Sequence, residues 1–216
     1  MGLKNGDFVE IDYVAYDKET GQVFDLTSEE IAKKEGIHDP KAKYGALIVC
    51  IGEGFVLKGL DEVLVGKEES EKFDIEIDPE KGFGKRDPKL MKLLSAGIFK
   101  KENIRPFPGL RVNLDGLIGT VRSVSGGRIV VDFNHPLAGH KLLYKVTIGK
   151  LIKDKQKKID SLIGFFSKKA KSKVVEAVAE VNGDFSEEAK RVLGEKIKKL
   201  IPEMKEVRFG KTVTKT

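Results

Sequence analysis

Phe8-Val9-Glu10-Ile11-Asp12-Tyr13-Val14-Ala15-Tyr16 is the stretch from which the fold is read, and Asp17-Lys18-Glu19-Thr20-Gly21 follows it directly. Phe8, Ile11, Tyr13 and Ala15 are broken by charged residues as in a half-buried strand, and the run from Asp17 to Gly21 has turn chemistry. Working outward, further strands are expected at 46–51 and at 71–78, where Phe73, Ile75 and Ile77 alternate before Pro79. Another is expected at 142–152, where Leu142, Tyr144, Val146 and Ile148 interleave with Leu143, Lys145 and Thr147. Ser28-Glu29-Glu30-Ile31 caps a short helix as far as Gly36, and 52–64 combines glycine breaks with one amphipathic helical turn. The pattern is that of an antiparallel, strand-rich domain with little helix.

Between its strands the chain changes texture. Residues 88–98 have helical spacing (Leu90, Met91, Leu94), Pro106 and Pro108 follow, and short strands are expected at 110–114, 117–124 and 128–133 around Asp115-Gly116 and Ser125-Gly126-Gly127. A small β-rich domain inserted at 87–134 explains why the strand at 142 comes so late. After residue 153 the pattern turns helical at 159–166, is strand-like or ambiguous at 173–181, and is helical again from a Ser186 cap to Leu200. A strand candidate at 206–209 precedes a Lys/Thr-rich end that reads as frayed. The expected fold class is α+β. Its parts are a discontinuous domain of 1–86 and 135–153, the insert 87–134, and a C-terminal α+β module at 154–216.

The chain has 216 residues, 40% hydrophobic and 34% charged, enough to bury a real core. No apolar run exceeds six residues and the N-terminus lacks a signal-like apolar segment, so the expectation is a cytoplasmic protein that avoids membranes. The single cysteine, Cys50, sits in an apolar run, reads as a buried small hydrophobe, and excludes an intramolecular disulfide. The net charge of +6 is uneven: residues 1–153 hold 24 basic and 24 acidic side chains, whereas 154–216 hold 16 and 10. That excess invites a nucleic-acid reading. Against it, the lysines alternate with glutamates, no aromatic residues interleave, and Ile159, Leu162, Ile163, Phe165 and Phe166 read as a packing face. A dimerisation or docking module, with a homodimer as the partner, is favoured over nucleic acid.

Several chemistries lack their residues. Gly52-x-Gly54 with Gly59 misses the dinucleotide spacing, and no G-x-S-x-G elbow occurs. His135 and His140 lie five apart with no carboxylate or Cys near in sequence, so neither metal nor cofactor is expected.

Four stretches in order carry a more specific signal. They are Val9-Glu10-Ile11-Asp12-Tyr13 with Gly21-Gln22-Val23-Phe24-Asp25; Ile51-Gly52 to Gly59-Leu60-Asp61-Glu62; Ile77-Asp78-Pro79-Glu80-Lys81-Gly82-Phe83-Gly84; and Leu142-Leu143-Tyr144-Lys145-Val146. Together they resemble the FKBP-type peptidyl-prolyl cis-trans isomerases. The insertion ending in Asn134-His135-Pro136-Leu137-Ala138-Gly139 resembles the SlyD-type branch, whose insert-in-flap domain binds unfolded chains. The resemblance covers about 5–153; the remainder matches long archaeal members by position and length alone.

The resemblance implies a pocket for X-Pro bonds. Tyr13, Phe24, Phe83 and Tyr144 would be its walls, with Val56 lining it and Leu60 as its floor. The Leu57 N–H would donate to a substrate carbonyl, and Asp25, paired with the Tyr13 hydroxyl, would orient or polarise the bond. The barrier to rotation is set by amide resonance at ~18–20 kcal/mol, while the isomers differ by only ~0.5–1 kcal/mol. A dry aromatic pocket lowers it without acid, base or metal, because the twisted amide has less charge separation. The chain departs from common family members in two ways: it has no Trp at the floor, and Phe83 stands where a Tyr is frequent. The missing hydroxyl removes a hydrogen bond of about 0.5–1.5 kcal/mol. Read singly, Tyr13 and Tyr144 fit core positions and Asp25 an ordinary turn acid.

The insert is rich in aliphatics, among them Leu90, Leu94, Phe99, Phe107, Leu110, Val112, Leu117 and Ile129. They are candidates for an exposed groove that captures unfolded or proline-containing polypeptides, which tethering would deliver to the isomerase pocket. The alternative is that they simply pack the insert. For the whole chain, the other readings are a holdase without turnover and a basic RNA-associated adaptor.

Overall fold

The structure is a computed structural model that describes residues 2–167 and 169–210. It divides into two compact units, one formed by Met1–Ile77 with Leu142–Thr216 and the other by Asp78–Lys141. The Lys/Thr-rich end, 211–216, lies outside the described residues.

In chain order, β1 (Phe8–Asp17), β2 (Val23–Leu26), α1 (Glu29–Lys34), β3 (Leu47–Cys50), α2 (Lys58–Leu64) and β4 (Lys72–Ile77) precede the second unit. That unit supplies β5 (Met91–Ser95), α3 (Ala96–Lys101), β6 (Arg111–Leu114), β7 (Leu117–Ser125) and β8 (Arg128–Asp132), and the chain returns as β9 (Leu142–Leu151). Then come α4 (Lys155–Phe166), β10 (Lys171–Val175), β11 (Val178–Asn182), α5 (Glu187–Leu200) and β12 (Glu206–Gly210).

In the first unit β1 is the central strand of an antiparallel sheet ordered β2-β1-β9-β4, with β3 on β1 beyond β2. Alternation puts Ile11, Tyr13 and Ala15 on one face with Tyr144, Val146 and Ile148 of β9, and Asp12, Val14 and Tyr16 on the other. Ile77 pairs with Leu142, so the chain leaves and re-enters this sheet at adjacent residues, and the long insertion leaves the pairing unbroken.

The C-terminal segment forms β10-β11-β12, an antiparallel hairpin followed by a parallel pair joined through α5. Asp154 and Ser186 cap α4 and α5 through their side chains, accepting from the Lys157 and Ala189 N–H groups. Ile159, Leu162, Ile163, Leu193 and Ile197 share one core with Phe8, Cys50 and Ile152. Residues 154–210 therefore pack on the first sheet, within the same compact unit. The ambiguous 173–181 resolves as part of the β10-β11 hairpin, turning at Glu176 with φ +53°.

The second unit is a four-stranded antiparallel sheet, β5-β8-β7-β6, with α3 packed on β5. Its core is Phe99, Val112, Leu114, Val121, Ile129 and Val131. Of the helix expected at 88–98 only the end forms, as the start of α3 at Ala96: Pro88–Leu90 is a 3-10 turn, and Met91–Ser95 pairs along β8 from Met91–Asp132 to Ser95–Arg128. A run of five residues cannot settle its period alone, and the unpaired edge of β8 decides it. Asp132, almost fully buried, accepts from the Asn134 N–H and side-chain amide and from Arg122, with Arg86 at 3.3 Å.

Candidate functional site

The site is built where β2 returns against β1. Ala15 pairs with Asp25 and Tyr16 with Val23, which leaves Phe24 as the extra residue of a β-bulge. A bulge re-aims its side chain, and here the consecutive Phe24 and Asp25 reach the Tyr144 ring and the Tyr13 hydroxyl respectively. The Tyr13 hydroxyl donates to Asp25 Oδ2 at 2.8 Å. The Tyr13 and Tyr144 ring centroids are 5.5 Å apart, and Phe24 meets Tyr144 edge-on at 6.0 Å. Behind them the Tyr13 N–H donates to Thr27 Oγ1, and the buried Thr27 hydroxyl donates to Asp12, which fixes the corner from the other side of β1.

Burial, reinforced by the Asp25 carboxylate, pushes both phenols well above their ordinary value near 10. Tyr13 and Tyr144 are therefore protonated throughout the physiological range. The Tyr13 O–H is held as a donor to Asp25, and the cluster presents ring faces rather than phenolate charge.

Of the other candidates, Leu60 lies fully buried on α2, and Val56 and Leu57 are half-buried in the loop before it. The Leu57 carbonyl accepts from the Leu60 and Asp61 N–H groups at 2.9 and 3.0 Å. Its own N–H has no acceptor among the described residues. Phe83 belongs to the second unit, where its ring stacks on His135 at 4.2 Å. The structure thus brings Tyr13, Phe24, Asp25 and Tyr144 together at one corner, and sets Phe83 in the other unit.

One residue missed by sequence reasoning is Asp61. Its buried carboxylate accepts from the Gly52 and Gly54 N–H groups at 2.9 and 3.2 Å and so shapes the loop that leads to Leu57. The signal was present: an acid in the first turn of a helix, nine and seven residues from two glycines.

On the far face of the sheet, an open groove of about 960 Å³ runs between Asp12, Tyr16, Lys145 and Thr147 and the stretch that carries Thr27 and Tyr44. Its lining mixes Glu29 and Asp74 with Lys72, and no set of like groups converges in it. Among the described residues no three His, Cys, Asp or Glu side chains come together as a metal site, and no helix is long and apolar enough to cross a membrane.

The capture candidates of the second unit separate into two groups. Phe99, Val112 and Ile129 are core residues, 0, 5 and 0% exposed, so the expectation that they line a surface groove is corrected: a sheet covered on one face by α3 needs them for its own packing. Leu94 and Leu110 are half-buried against that core. Leu90, Phe107 and Leu117 are exposed, and so are Met91, Leu93, Ile98 and Ile118.

Comparison with known proteins bears on both units. The family FKBP-type peptidyl-prolyl cis-trans isomerase matches residues 2–94, and the family FKBP26, IF domain, matches residues 92–137. A short-type peptidyl-prolyl cis-trans isomerase of Methanocaldococcus jannaschii is 31% identical over 146 residues, covering 68% of this chain and 92% of its own. The FKBP-type isomerase SlyD of Treponema pallidum is 30% identical over 152 residues, covering 68% and 77%. An FKBP-type 16 kDa isomerase of Escherichia coli strain K12 is 30% identical over 103 residues, covering 45% and 68%.

Proposed function

Since the chain belongs to the FKBP-type peptidyl-prolyl cis-trans isomerases, enzymes that rotate X-Pro bonds, we propose that it performs this rotation at the β1–β2 corner and captures unfolded clients with its second unit. In this reading Tyr13, Phe24 and Tyr144 wall the pocket, with Val56 beside them and Leu60 as the floor. The Leu57 N–H donates to a substrate carbonyl. Asp25, fixed by the Tyr13 hydroxyl, orients or polarises the turning bond. The single observation that carries it is the convergence of the Tyr13, Phe24 and Tyr144 rings with the Asp25 carboxylate, which accepts from the Tyr13 hydroxyl.

The mechanism needs no proton transfer. An imide between apolar rings loses water from its carbonyl, which disfavours the planar, charge-separated form more than the twisted one. A fixed N–H donor orients the peptide through another of its carbonyls, not the one being turned. A peptide assay on Asp25→Ala and Tyr13→Phe tests the assignment: unchanged turnover in both rejects it.

Capture is supported by the exposed Leu90, Leu93, Phe107, Leu117 and Ile118, too many apolar side chains for a small solvated sheet. A holdase without turnover is the reading left if peptide isomerisation is absent while aggregation is still suppressed. The C-terminal segment acts within the chain in this proposal, because Ile159, Leu162 and Ile163 are buried there; self-association would use the exposed Phe165 instead, and sedimentation of the full chain as a monomer rejects it. Lys196 and Lys199 are paired with Glu53, which weakens the nucleic-acid reading; steeply salt-dependent RNA binding would revive it. A cytoplasmic setting goes with a buried free Cys50 and a fold that uses no disulfide, and fractionation that finds the chain outside the cell contradicts it.

A further inference from the structure

The loop from Ile51 to Leu57 is tied down at three points, two of them on the C-terminal segment that neither family pattern covers. Asp61 holds Gly52 and Gly54, whose φ values of +82° and +73° let the loop double back and aim Glu53 away from α2. Glu53, 14% exposed, then meets α5: Lys196 Nζ lies 2.6 Å and Lys199 Nζ 3.1 Å from its two oxygens. Those lysines hold its carboxyl below the usual range despite partial burial. Two residues on, the Phe55 ring stacks on Phe165 of α4 at 4.9 Å. The loop therefore runs between a helix of the isomerase sheet and two helices of the C-terminal segment, and it delivers Leu57 with its N–H free of any acceptor among the described residues.

We propose that the C-terminal segment is a brace for the substrate loop, with Lys196 as its main positioning residue and Lys199 and Phe165 in support. Lys196 touches no substrate in this arrangement. It acts through Glu53, fixing the residues that precede the Leu57 amide, so that binding a peptide carbonyl need not first order the loop. The ion pair is half-shielded from solvent and hence less screened than a surface pair. The inference deepens the pocket assignment and rests on the role proposed for Leu57.

The test uses the full chain and a short proline peptide. Lys196→Ala is expected to raise KM roughly three- to tenfold with kcat nearly unchanged, about the net size of one ordinary hydrogen bond because Lys196 acts through the loop and not on the peptide. It should also speed hydrogen exchange at the Gly52 and Gly54 amides, which donate to Asp61 within the same loop. Lys196→Arg should restore most of the affinity, and Glu53→Lys combined with Lys196→Glu should recover part of what Glu53→Lys alone loses. Glu53→Gln, a near-isosteric change, gives the same readout if a bulkier variant does not fold. Wild-type KM in both Lys196→Ala and Glu53→Gln overturns the brace, as does an equal loss in Lys196→Ala and Lys196→Arg. If those variants behave as wild type while Asp25→Ala loses turnover, the brace fails and the pocket stands; if Asp25→Ala is also unimpaired, the pocket assignment is what fails.

Discussion

The β1–β2 corner of the first unit and the apolar surface of the second put hydrophobic side chains to opposite uses. At the corner, each ring has a fixed neighbour and the Tyr13 hydroxyl has its acceptor, so the cluster has a single geometry. In the second unit, Leu93, Phe107, Leu117 and Ile118 are 61, 56, 63 and 58% exposed over a core of six buried residues. A fixed corner suits one bond type met in one orientation. An exposed apolar surface suits many sequences held loosely. In the proposed reading the same residue classes serve specificity in one place and breadth in the other, and burial distinguishes them.

That contrast breaks most sharply in the second unit's core. Phe99→Ala should destabilise the unit by about 3–5 kcal/mol, since a fully buried Phe leaves a cavity, and denaturation followed on the second unit reads it. Next, Asp25→Ala should lower kcat/KM for a proline peptide by about ten- to a hundredfold, with little change in unfolding midpoint, because it removes a preorganised charge and its Tyr13 contact. Replacing Leu93, Phe107 and Leu117 together by Ser should leave peptide turnover within about twofold and stability nearly unchanged, as exposed sites do. It should slow catalysed refolding of a proline-limited protein about tenfold through lost tethering. Equal loss on peptide and protein would erase the division of labour.

The pH dependence separates the units more gently. The Tyr13 and Tyr144 pKa values are raised in the folded state, so their contribution to stability is complete below about pH 10 and declines as pH rises beyond it. Tyr144→Phe should shallow that alkaline loss. In the second unit burial alone would raise the Asp132 pKa, but Asn134, Arg122 and Arg86 outweigh it and hold it below its ordinary value. Its contribution is complete above about pH 4 and fades as pH falls through the lowered value, so acid titration should loosen the second unit, and Asp132→Asn should flatten that dependence.

Strand alternation made most of the sheet legible. Tyr13, Ala15, Tyr144 and Val146 announce their faces by period two, and Ser186 and Ser28 announce their helices by capping. Period failed at 91–95, where Leu93 and Leu94 fit helix or strand and pairing with β8 settled the matter. The site aromatics were reached through resemblance, but the bulge that turns Phe24 toward Tyr144 depends on a register no local pattern encodes. Exposure within the insert was equally hidden: Phe99 and Phe107 are alike in sequence, and only the position of α3 buries one and leaves the other in solvent. The Glu53–Lys196 pair spans 143 positions, far beyond any motif window.

The central claim is that an apolar aromatic corner turns the imide without moving a proton. It is tested most directly by the rate of cis-to-trans isomerisation of a short proline peptide in H2O and D2O across about pH 6–9. The account predicts a flat profile and a solvent isotope effect near unity, with the rate lowered about ten- to a hundredfold in Asp25→Ala. A bell-shaped profile with an isotope effect of about two or more would mean that a proton moves in the rate-limiting step, and would contradict it.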